Sequence, residues 1–265
     1  MPRILSFSIY PIKSTTGFDL NEVNVQSAGL HGDRRYLLLD AANKMMTARD
    51  FPDMLKFRPS FDEKGMKVQY ENESLHISDE SFDQETYFEL WKQGVLGRVA
   101  KTEINQWFSD RLGQECKLVH QSDYKRSIPK KEGAALSGVV TYADQAPILL
   151  VSQASVEDVN KKAGGGISAV HFRSNILIDH DIPFAEDNWR RIKIGKVEFD
   201  VLEGCKRCVF TTIDPITFEK HPNQEPLRSL SQYRPHPRGG VSFGIHLVPK
   251  NEGMITLEDQ LEILE

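Results

Sequence analysis

The sequence predicts a strand-rich α+β fold, and three observations support this prediction. Short apolar or alternating runs typical of strands outnumber the helical patterns along the whole chain. Strands and helices do not alternate regularly, as they would in a doubly wound parallel sheet. The chain has 265 residues, which is enough for one large domain or two smaller ones.

Composition excludes several classes of protein. The formal net charge of −5 argues against stable nucleic-acid binding, which usually needs a basic surface. No run of 18 apolar residues is present, so we expect no transmembrane helix and no membrane association. The first residues lack a secretory signal, and 3 cysteines are too few for a disulfide framework. We therefore expect a cytoplasmic protein.

The first half of the chain begins with strands. A β-branched and aromatic run at residues 4–12 predicts the first one. Further along, apolar residues separated by polar turns predict two hairpins, with strands at 36–39 and 45–47 and at 66–70 and 75–77.

Helical patterns are few and occur after residue 100. A capping threonine, apolar spacing and a terminal glycine predict a helix over 102–112. A second helix is predicted from 155 to 164 and a third over 225–233. Apolar runs in the second half predict the remaining strands, namely 148–151, 176–178, a strand pair over 192–201 around Gly195 and Lys196, 241–248 and 255–264.

A polar, charged segment at 121–137 predicts a division into an N-terminal domain, 1–120, and a second domain, 121–265. Within it, residues 125–133 are basic and contain a proline. Two interpretations of this stretch stay open, a plain surface loop and a mobile rim of an active site.

The most informative motif places Cys205 and Cys208 three residues apart, on either side of Lys206 and Arg207. One such pair cannot complete a four-ligand zinc site, and the sequence has no second pair. Burial is the usual fate of free cysteine, but two cations between the cysteines are ill suited to an apolar core.

The residues that follow, 209–213, have the composition of a strand. In a strand, Cys205 and Cys208 face opposite sides, so only one reaches a given site unless a bulge or turn intervenes. That favours a single thiolate ligand for a metal whose other ligands come from a cofactor. A thioredoxin-like redox pair is the alternative, but it requires the cysteines to open a helix.

Polar residues also stand where predicted strands begin or end. Lys13 and Ser14 follow the first strand, Arg34 precedes the second, and Arg173 and Asn175 precede the strand at residue 176. Arginine offers a planar fork to phosphate, and asparagine can donate to and accept from a heterocycle. Each of these short motifs alone is a weak signal, since a charged residue beside a strand usually belongs to an ordinary turn or surface.

Taken in order, the motifs resemble MOSC-domain proteins with an N-terminal MOSC β-barrel domain. This branch holds the mitochondrial amidoxime-reducing components and the bacterial YcbX-type reductases. The resemblance covers nearly the whole chain and rests on Tyr-Pro-x-Lys-Ser, Gly-Asp-Arg-Arg-Tyr, Thr-Ala-Arg, Phe-Arg-x-Asn and, most specifically, Cys-x-Arg-Cys-x-x-Thr-Thr-x-Asp-Pro. It implies a MOSC β-barrel domain packed with a smaller N-terminal β-barrel-like domain, and a cofactor cleft between them. It leaves open whether the first strands pack with the C-terminal barrel.

The resemblance implies a molybdenum cofactor, molybdenum bound to molybdopterin. In such proteins the metal is held by the pterin dithiolene, two oxo-type ligands and one protein cysteine. Residue-by-residue matching makes Cys208 the metal ligand and a catalytic residue, while Cys205 matches a position that is not a ligand. The same matching implies cofactor binding by Lys13, Ser14, Arg34, Asp144, Arg173, Asn175, Arg207 and Cys208.

The activity implied is reduction of small N-hydroxylated compounds, as in detoxification. Its substrates would be hydroxylamines, amidoximes and N-hydroxylated nucleobases such as 6-hydroxylaminopurine. Asp214 is a candidate proton donor from its position alone, although an Asp-Pro turn is a common structural element. The chain lacks the cysteine spacing of a plant-type ferredoxin, so we expect no Fe–S cluster in it. We therefore expect electrons from a separate flavoprotein reductase, ferredoxin or cytochrome.

Two other functions stay open. The first is a non-catalytic carrier or sulfur-transfer partner for the molybdenum cofactor, by kinship with cofactor sulfurases. Pyridoxal phosphate binding is attached to the wider family, but this chain shows no domain for it. The second is a barrel that has lost its cofactor. Three positions differ from the mammalian pattern, with Ala143 and Ala146 in place of serines and Ser174 in place of a proline.

Overall fold

The computed structural model describes residues 2–122, 126–128 and 138–265. Over these ranges the chain forms twenty strands, four α-helices and short 3-10 turns. The strands are β1 (Arg3–Ile9), β2 (Phe18–Leu20), β3 (Glu22–Gln26), β4 (Gly29–Leu30), β5 (Tyr36–Asp40), β6 (Arg58–Asp62), β7 (Gly65–Tyr70), β8 (Glu73–Ile77), β9 (Phe82–Leu90), β10 (Gln93–Ala100), β11 (Cys116–Gln121), β12 (Arg126–Ser127), β13 (Val139–Val140), β14 (Ile148–Ser152), β15 (Ile176–Asp179), β16 (Arg191–Ile194), β17 (Val197–Arg207), β18 (Val241–Pro249), β19 (Gly253–Thr256) and β20 (Leu261–Ile263). The helices are α1 (Thr102–Leu112), α2 (Gln153–Ala163), α3 (Ala169–Phe172) and α4 (Leu227–Tyr233).

The largest sheet joins both ends of the sequence. Its strand order is β2-β1-β15-β14-β18-β17-β16-β20, and every pair is antiparallel except β14 with β15. A small β19-β3-β4 sheet packs Val23, Val25 and Ile255 into the same core. The first strands of the chain therefore belong to the sheet built mainly from its second half.

Alternation in β1 shows how the sequence specifies this packing. Ile4, Phe7 and Ile9 are buried, and a register shift between Ile4 and Ser6 changes which positions face inward. A half-buried strand buries every second side chain, and a bulge resets that count by one residue. The apolar residues of β1 thus reach one core despite their irregular spacing.

The remaining N-terminal residues build a second core. It lies among the β5-β11-β10-β9 sheet, the β6-β7-β8 sheet and α1. Ile104 and Phe108 are four residues apart in α1, so they share one face of the helix and enter this core together. The ring of Phe108 lies 4.9 Å from that of Phe57.

Most predicted elements are confirmed within a few residues, including both hairpins and all three helices, although the run 45–47 forms no strand and pairs with β5 through an isolated bridge between Met45 and Leu39. Two expectations are wrong. The run 255–264 forms two short strands, β19 and β20, and the predicted strand at 209–213 is a 3-10 helix at Val209–Thr212.

Local hydrogen bonds explain the second difference. The Thr211 hydroxyl donates to the Cys208 carbonyl at 2.9 Å, and the Thr212 hydroxyl donates to the Val209 carbonyl at 2.8 Å. Such side-chain bonds to nearby carbonyls compete with a sheet ladder, although the residue types favour strands.

The segment predicted to divide the domains is only partly described, since positions 123–125 and 129–137 lie outside the described residues. Both interpretations of the stretch 125–133 therefore stay predictions, as does the boundary at residue 120. No helix in the described ranges is long and apolar enough to cross a membrane.

Candidate functional site

A cavity of about 400 Å³ lies where the two halves of the chain meet. Its described walls include Arg49 and Trp91 from the first half, and Phe210 and His246 from the second. All the residues matched to cofactor binding also line it, namely Lys13, Ser14, Arg34, Asp144, Arg173, Asn175, Arg207 and Cys208. Motifs that are remote in sequence thus converge on one site, in the cleft that the resemblance implied.

Backbone hydrogen bonds place the first two motifs side by side. The Tyr10 N–H donates to the buried Asp33 carboxylate at 2.9 Å, and the Arg34 N–H donates to the Tyr10 carbonyl at 3.0 Å. The Lys13 N–H donates to the Tyr36 carbonyl at 2.8 Å. The chain leaving β1 therefore runs beside the segment entering β5, which brings Lys13 and Arg34 to the same wall.

Two guanidinium groups share one aromatic ring. Arg34 and Arg173 lie 4.3 and 4.1 Å from the ring centroid of Tyr10. Arg34 pairs with Asp33 at 2.6 Å, and Arg173 donates to the Thr15 carbonyl at 2.6 Å. Burial, together with the nearby Arg34 charge, lowers the pKa of Arg173 to about 10. Arg173 therefore stays protonated at neutral pH, and both guanidinium groups lie at the cavity wall.

Lys13 supplies a third, buried cation. Its ammonium donates to the Tyr142 carbonyl at 2.7 Å and to the carboxylate of Asp144. Burial lowers the pKa of Lys13, and the charge of Asp144 opposes that shift. Arg126 is only 1% exposed and donates to the carbonyls of Ala143 and Asp144. These hydrogen bonds hold the backbone of the segment that carries Asp144.

The Cys208 thiol is exposed at the cavity, because β17 ends at the preceding residue. The Cys208 carbonyl accepts from the N–H of Thr211 at 3.1 Å and from its hydroxyl at 2.9 Å. These bonds close the 3-10 turn that presents the thiol. The Thr-Thr pair in the motif therefore has a structural role in holding Cys208 in place.

Cys205 also lines the cavity, but it is only 6% exposed. The expectation that only one cysteine reaches the site is therefore wrong. A strand irregularity explains the difference. The pairing register of β17 with β18 shifts between Gly204 and Lys206, and the strand ends at Arg207. Burial raises the pKa of Cys205 despite nearby Arg207, so this cysteine is a protonated thiol at neutral pH.

Arg207 connects the cysteine pair to the rest of the wall. It donates to the Cys205 sulfur at 2.9 Å and to the Phe172 carbonyl at 2.7 Å. Its Nε is buried without a hydrogen-bond partner in the described part of the chain, and the same holds for Oε1 of Gln145. Buried polar atoms usually have partners, so this donor and this acceptor are open to a bound polar group.

The donor set fits a molybdenum cofactor. Among the described lining residues six are basic and one, Asp144, is acidic, which suits an anionic ligand. No group of three or more His, Cys, Asp or Glu residues that could hold a metal occurs in the described ranges. A single soft thiolate such as that of Cys208 suits a metal whose other ligands come from a cofactor.

Two predicted residues are placed differently from the rest. Asn175 lines the cavity, but its amide accepts from the Leu149 N–H and donates to the Ser8 carbonyl, both at 3.1 Å. It therefore ties β14 to β1. Asp214 is not among the residues lining the cavity, and its Oδ1 accepts from the N–H groups of Ile216 and Thr217 at 2.8 Å. The Thr217 hydrogen bond lowers the pKa of Asp214, so its carboxylate is poorly suited to donate a proton.

Replacing Asp214 with asparagine is expected to change catalytic turnover by less than about twofold. The amide oxygen can keep the turn hydrogen bonds, whereas removal of a true proton donor costs about 10²–10⁴-fold. Steady-state kinetics of Asp214→Asn would measure this. A drop of 100-fold or more would restore Asp214 as a catalytic residue.

Sequence reasoning missed several residues of the cavity. Arg49 belongs to the Thr-Ala-Arg motif but was given no role, and His246 lies within an apolar strand pattern that hides it. Trp91 is at the turn between β9 and β10, where an aromatic residue in a short polar turn was the available signal.

Comparison with known protein families divides the chain in two. Residues 1–115 match the family model described as the MOSC N-terminal beta barrel domain, and residues 137–262 match the MOSC domain. The predicted boundary at residue 120 lies between the two matches.

The chain is also similar to two named groups of proteins. It is 30% identical to mitochondrial amidoxime-reducing component 1 from Mus musculus, over 97% of this chain and 80% of that protein. The Homo sapiens protein of the same name is 30% identical, over 97% and 81% respectively. Molybdenum cofactor sulfurase from Oryza sativa subsp. japonica is 26% identical over 92% of this chain. The chain spans about a third of that sulfurase, 32% of its length.

Proposed function

The chain belongs to the MOSC family, in the branch that joins a MOSC N-terminal β-barrel domain to a MOSC domain, and on that premise we propose that it is a molybdenum-cofactor-dependent reductase of N-hydroxylated compounds. The observation that carries this proposal is the exposed thiol of Cys208 in a cavity with six basic residues. The similarity to amidoxime-reducing components supports the substrate class.

Different residues of the cavity would bind different parts of the cofactor. Lys13, Arg34 and Arg173 would hold the phosphate end of the cofactor, because their cationic groups share one wall. Arg207 Nε and Gln145 Oε1 would pair with polar edges of the pterin. Cys208 would supply the one protein ligand to the metal, with Cys205 buried beside it.

The overall reaction converts R–NHOH, two electrons and two protons into R–NH2 and water. When bound, the cofactor supplies two-electron chemistry at the N–O bond, while the protein orients substrate and controls access. We propose that the electrons come from a separate donor protein, a flavoprotein reductase, ferredoxin or cytochrome.

A second candidate function is that of a cofactor carrier or sulfur-transfer partner. The similarity to molybdenum cofactor sulfurases favours it, since 92% of this chain aligns with about a third of the sulfurase from Oryza sativa subsp. japonica. The same cationic cavity would hold the cofactor in either role, so binding alone does not separate the two.

Turnover by molybdenum-loaded protein tests the proposal. With benzamidoxime and a chemically reduced viologen dye, we expect one benzamidine for every two electrons consumed, measured by chromatography. Loaded protein that forms no benzamidine, yet passes its cofactor to an acceptor lacking one, would favour the carrier function instead.

A further inference from the structure

The hairpin of β9 and β10 carries an unusual residue at its tip. Its two-residue turn consists of Trp91 and Lys92, with φ angles of 54° and 63°. Turns of this shape strongly favour Asn-Gly and similar pairs, because bulky side chains rarely adopt positive φ. Tryptophan contributes nothing to forming this turn, so the indole calls for another explanation.

The position of the indole supplies one. Trp91 lines the cavity while 43% of its surface stays exposed. Its ring centroid is 5.8 Å from the Lys13 ammonium and 5.9 Å from the Arg49 guanidinium carbon, so two cations flank it. An aromatic residue that lines a cavity and stays partly exposed can receive a flat, apolar face of a ligand.

A second aromatic residue of the cavity belongs to the segment that follows Cys208. Phe210 is two residues after Cys208, is half-buried and lines the same cavity. The Arg173 guanidinium lies 5.0 Å from its ring centroid. The cavity thus combines aromatic surfaces from both halves of the chain with the thiol of Cys208.

We propose that Trp91 is a specificity-determining residue, a stacking platform that selects flat, π-delocalised N-hydroxylated substrates such as 6-hydroxylaminopurine over aliphatic hydroxylamines. This inference rests on the proposed function for its substrates. Stacking of a base on an aromatic side chain is worth a free energy that corresponds to about 5–150-fold in affinity. An aliphatic hydroxylamine has no flat face and gains nothing from the indole.

Binding of adenine tests the platform without any turnover. Adenine is the product of 6-hydroxylaminopurine reduction and has no N–O bond left to reduce. In calorimetric titrations of cofactor-loaded protein, Trp91→Ala is expected to weaken adenine binding about tenfold or more, and Trp91→Phe to restore most of it. Trp91→Asn is the sharpest variant, because asparagine suits positive φ and so keeps the turn while removing the ring.

Tyr87 offers a matched control on the same hairpin. It is an aromatic residue in β9, 71% exposed and not among the residues that line the cavity. Tyr87→Ala is expected to leave adenine binding unchanged. Equal adenine binding by wild type and Trp91→Asn, or no adenine binding by wild type, would overturn the proposal.

Kinetics then separate selectivity from a structural role. Loss of the indole is expected to raise KM for 6-hydroxylaminopurine about tenfold or more and to lower kcat/KM for N-methylhydroxylamine much less. Equal losses for both substrates would contradict selection by stacking. If wild type reduces neither compound but binds adenine in a Trp91-dependent way, the platform stands and the proposed reductase function fails.

Discussion

Cys208→Ser is expected to lower the molybdenum content of the purified protein to background and to abolish reduction of benzamidoxime. A thiolate is a soft metal ligand, whereas a serine hydroxyl is hard and stays protonated at neutral pH. The other cysteine of the cavity cannot readily replace it, since Cys205 is buried and its pKa is raised by that burial. Metal analysis and product formation by the same preparation would measure both effects.

Cys205→Ser is the matched comparison. We expect it to retain most of the molybdenum, with a moderate loss of activity, because Arg207 loses its contact with the sulfur at 2.9 Å. Equal molybdenum in Cys208→Ser and wild type would remove Cys208 as the ligand. Loss of metal from Cys205→Ser alone would move the assignment to Cys205.

Gly244→Ala is expected to lower the free energy of unfolding by about 3 kcal/mol or more. Gly244 has a φ of 75° inside β18, and a Cβ there would lie 2.8 Å from both the Leu150 carbonyl oxygen and a methyl carbon of Val151. The clash is with the backbone of β14, which cannot move without breaking its pairing with β18. Urea unfolding at equilibrium would measure the loss.

Gly239→Ala separates the clash from the cost of the backbone angle. Gly239 also has a φ of 75°, but a Cβ there meets nothing within 4 Å. We expect it to cost only about 1–2 kcal/mol, the penalty for an ordinary residue in the left-handed region. Equal losses in the two variants would show that contact with β14 contributes nothing. The β14–β18 pairing also positions Leu149 and His246 at the cavity, so Gly244→Ala should load less molybdenum as well.

Local patterns in the sequence predicted most elements because their physical basis is local. Ile104 and Phe108 share a helix face by spacing alone, and the β5 hairpin follows from apolar residues on both sides of a polar turn. The segment after Cys208 was mispredicted for an equally local reason. Its residue types favour strands, but the hydroxyls of Thr211 and Thr212 bond to nearby carbonyls and close a turn.

The candidate site was predicted by a different route. The resemblance to a family assigned roles to residues of this chain, and eight of them line one cavity. Asp214, singled out by its position alone, lies in a turn outside that lining, and Trp91 was missed. The local sequence around a single residue beside a strand does not show whether its side chain faces solvent or a cavity. Position in the sequence therefore predicted neither residue correctly.

The sequence alone determined which functional groups are present, namely a cysteine pair, several arginines and a lysine at strand ends. It also determined most of the segments that become strands. Only the tertiary structure decided that these residues meet. Arg173 donates to the carbonyl of Thr15, 158 positions away, because β1 pairs with β15 in the large sheet. That pairing depends on packing the whole sheet over one core, which no local pattern encodes. The meeting of the two halves also brings the Trp91 turn to the wall of the cavity.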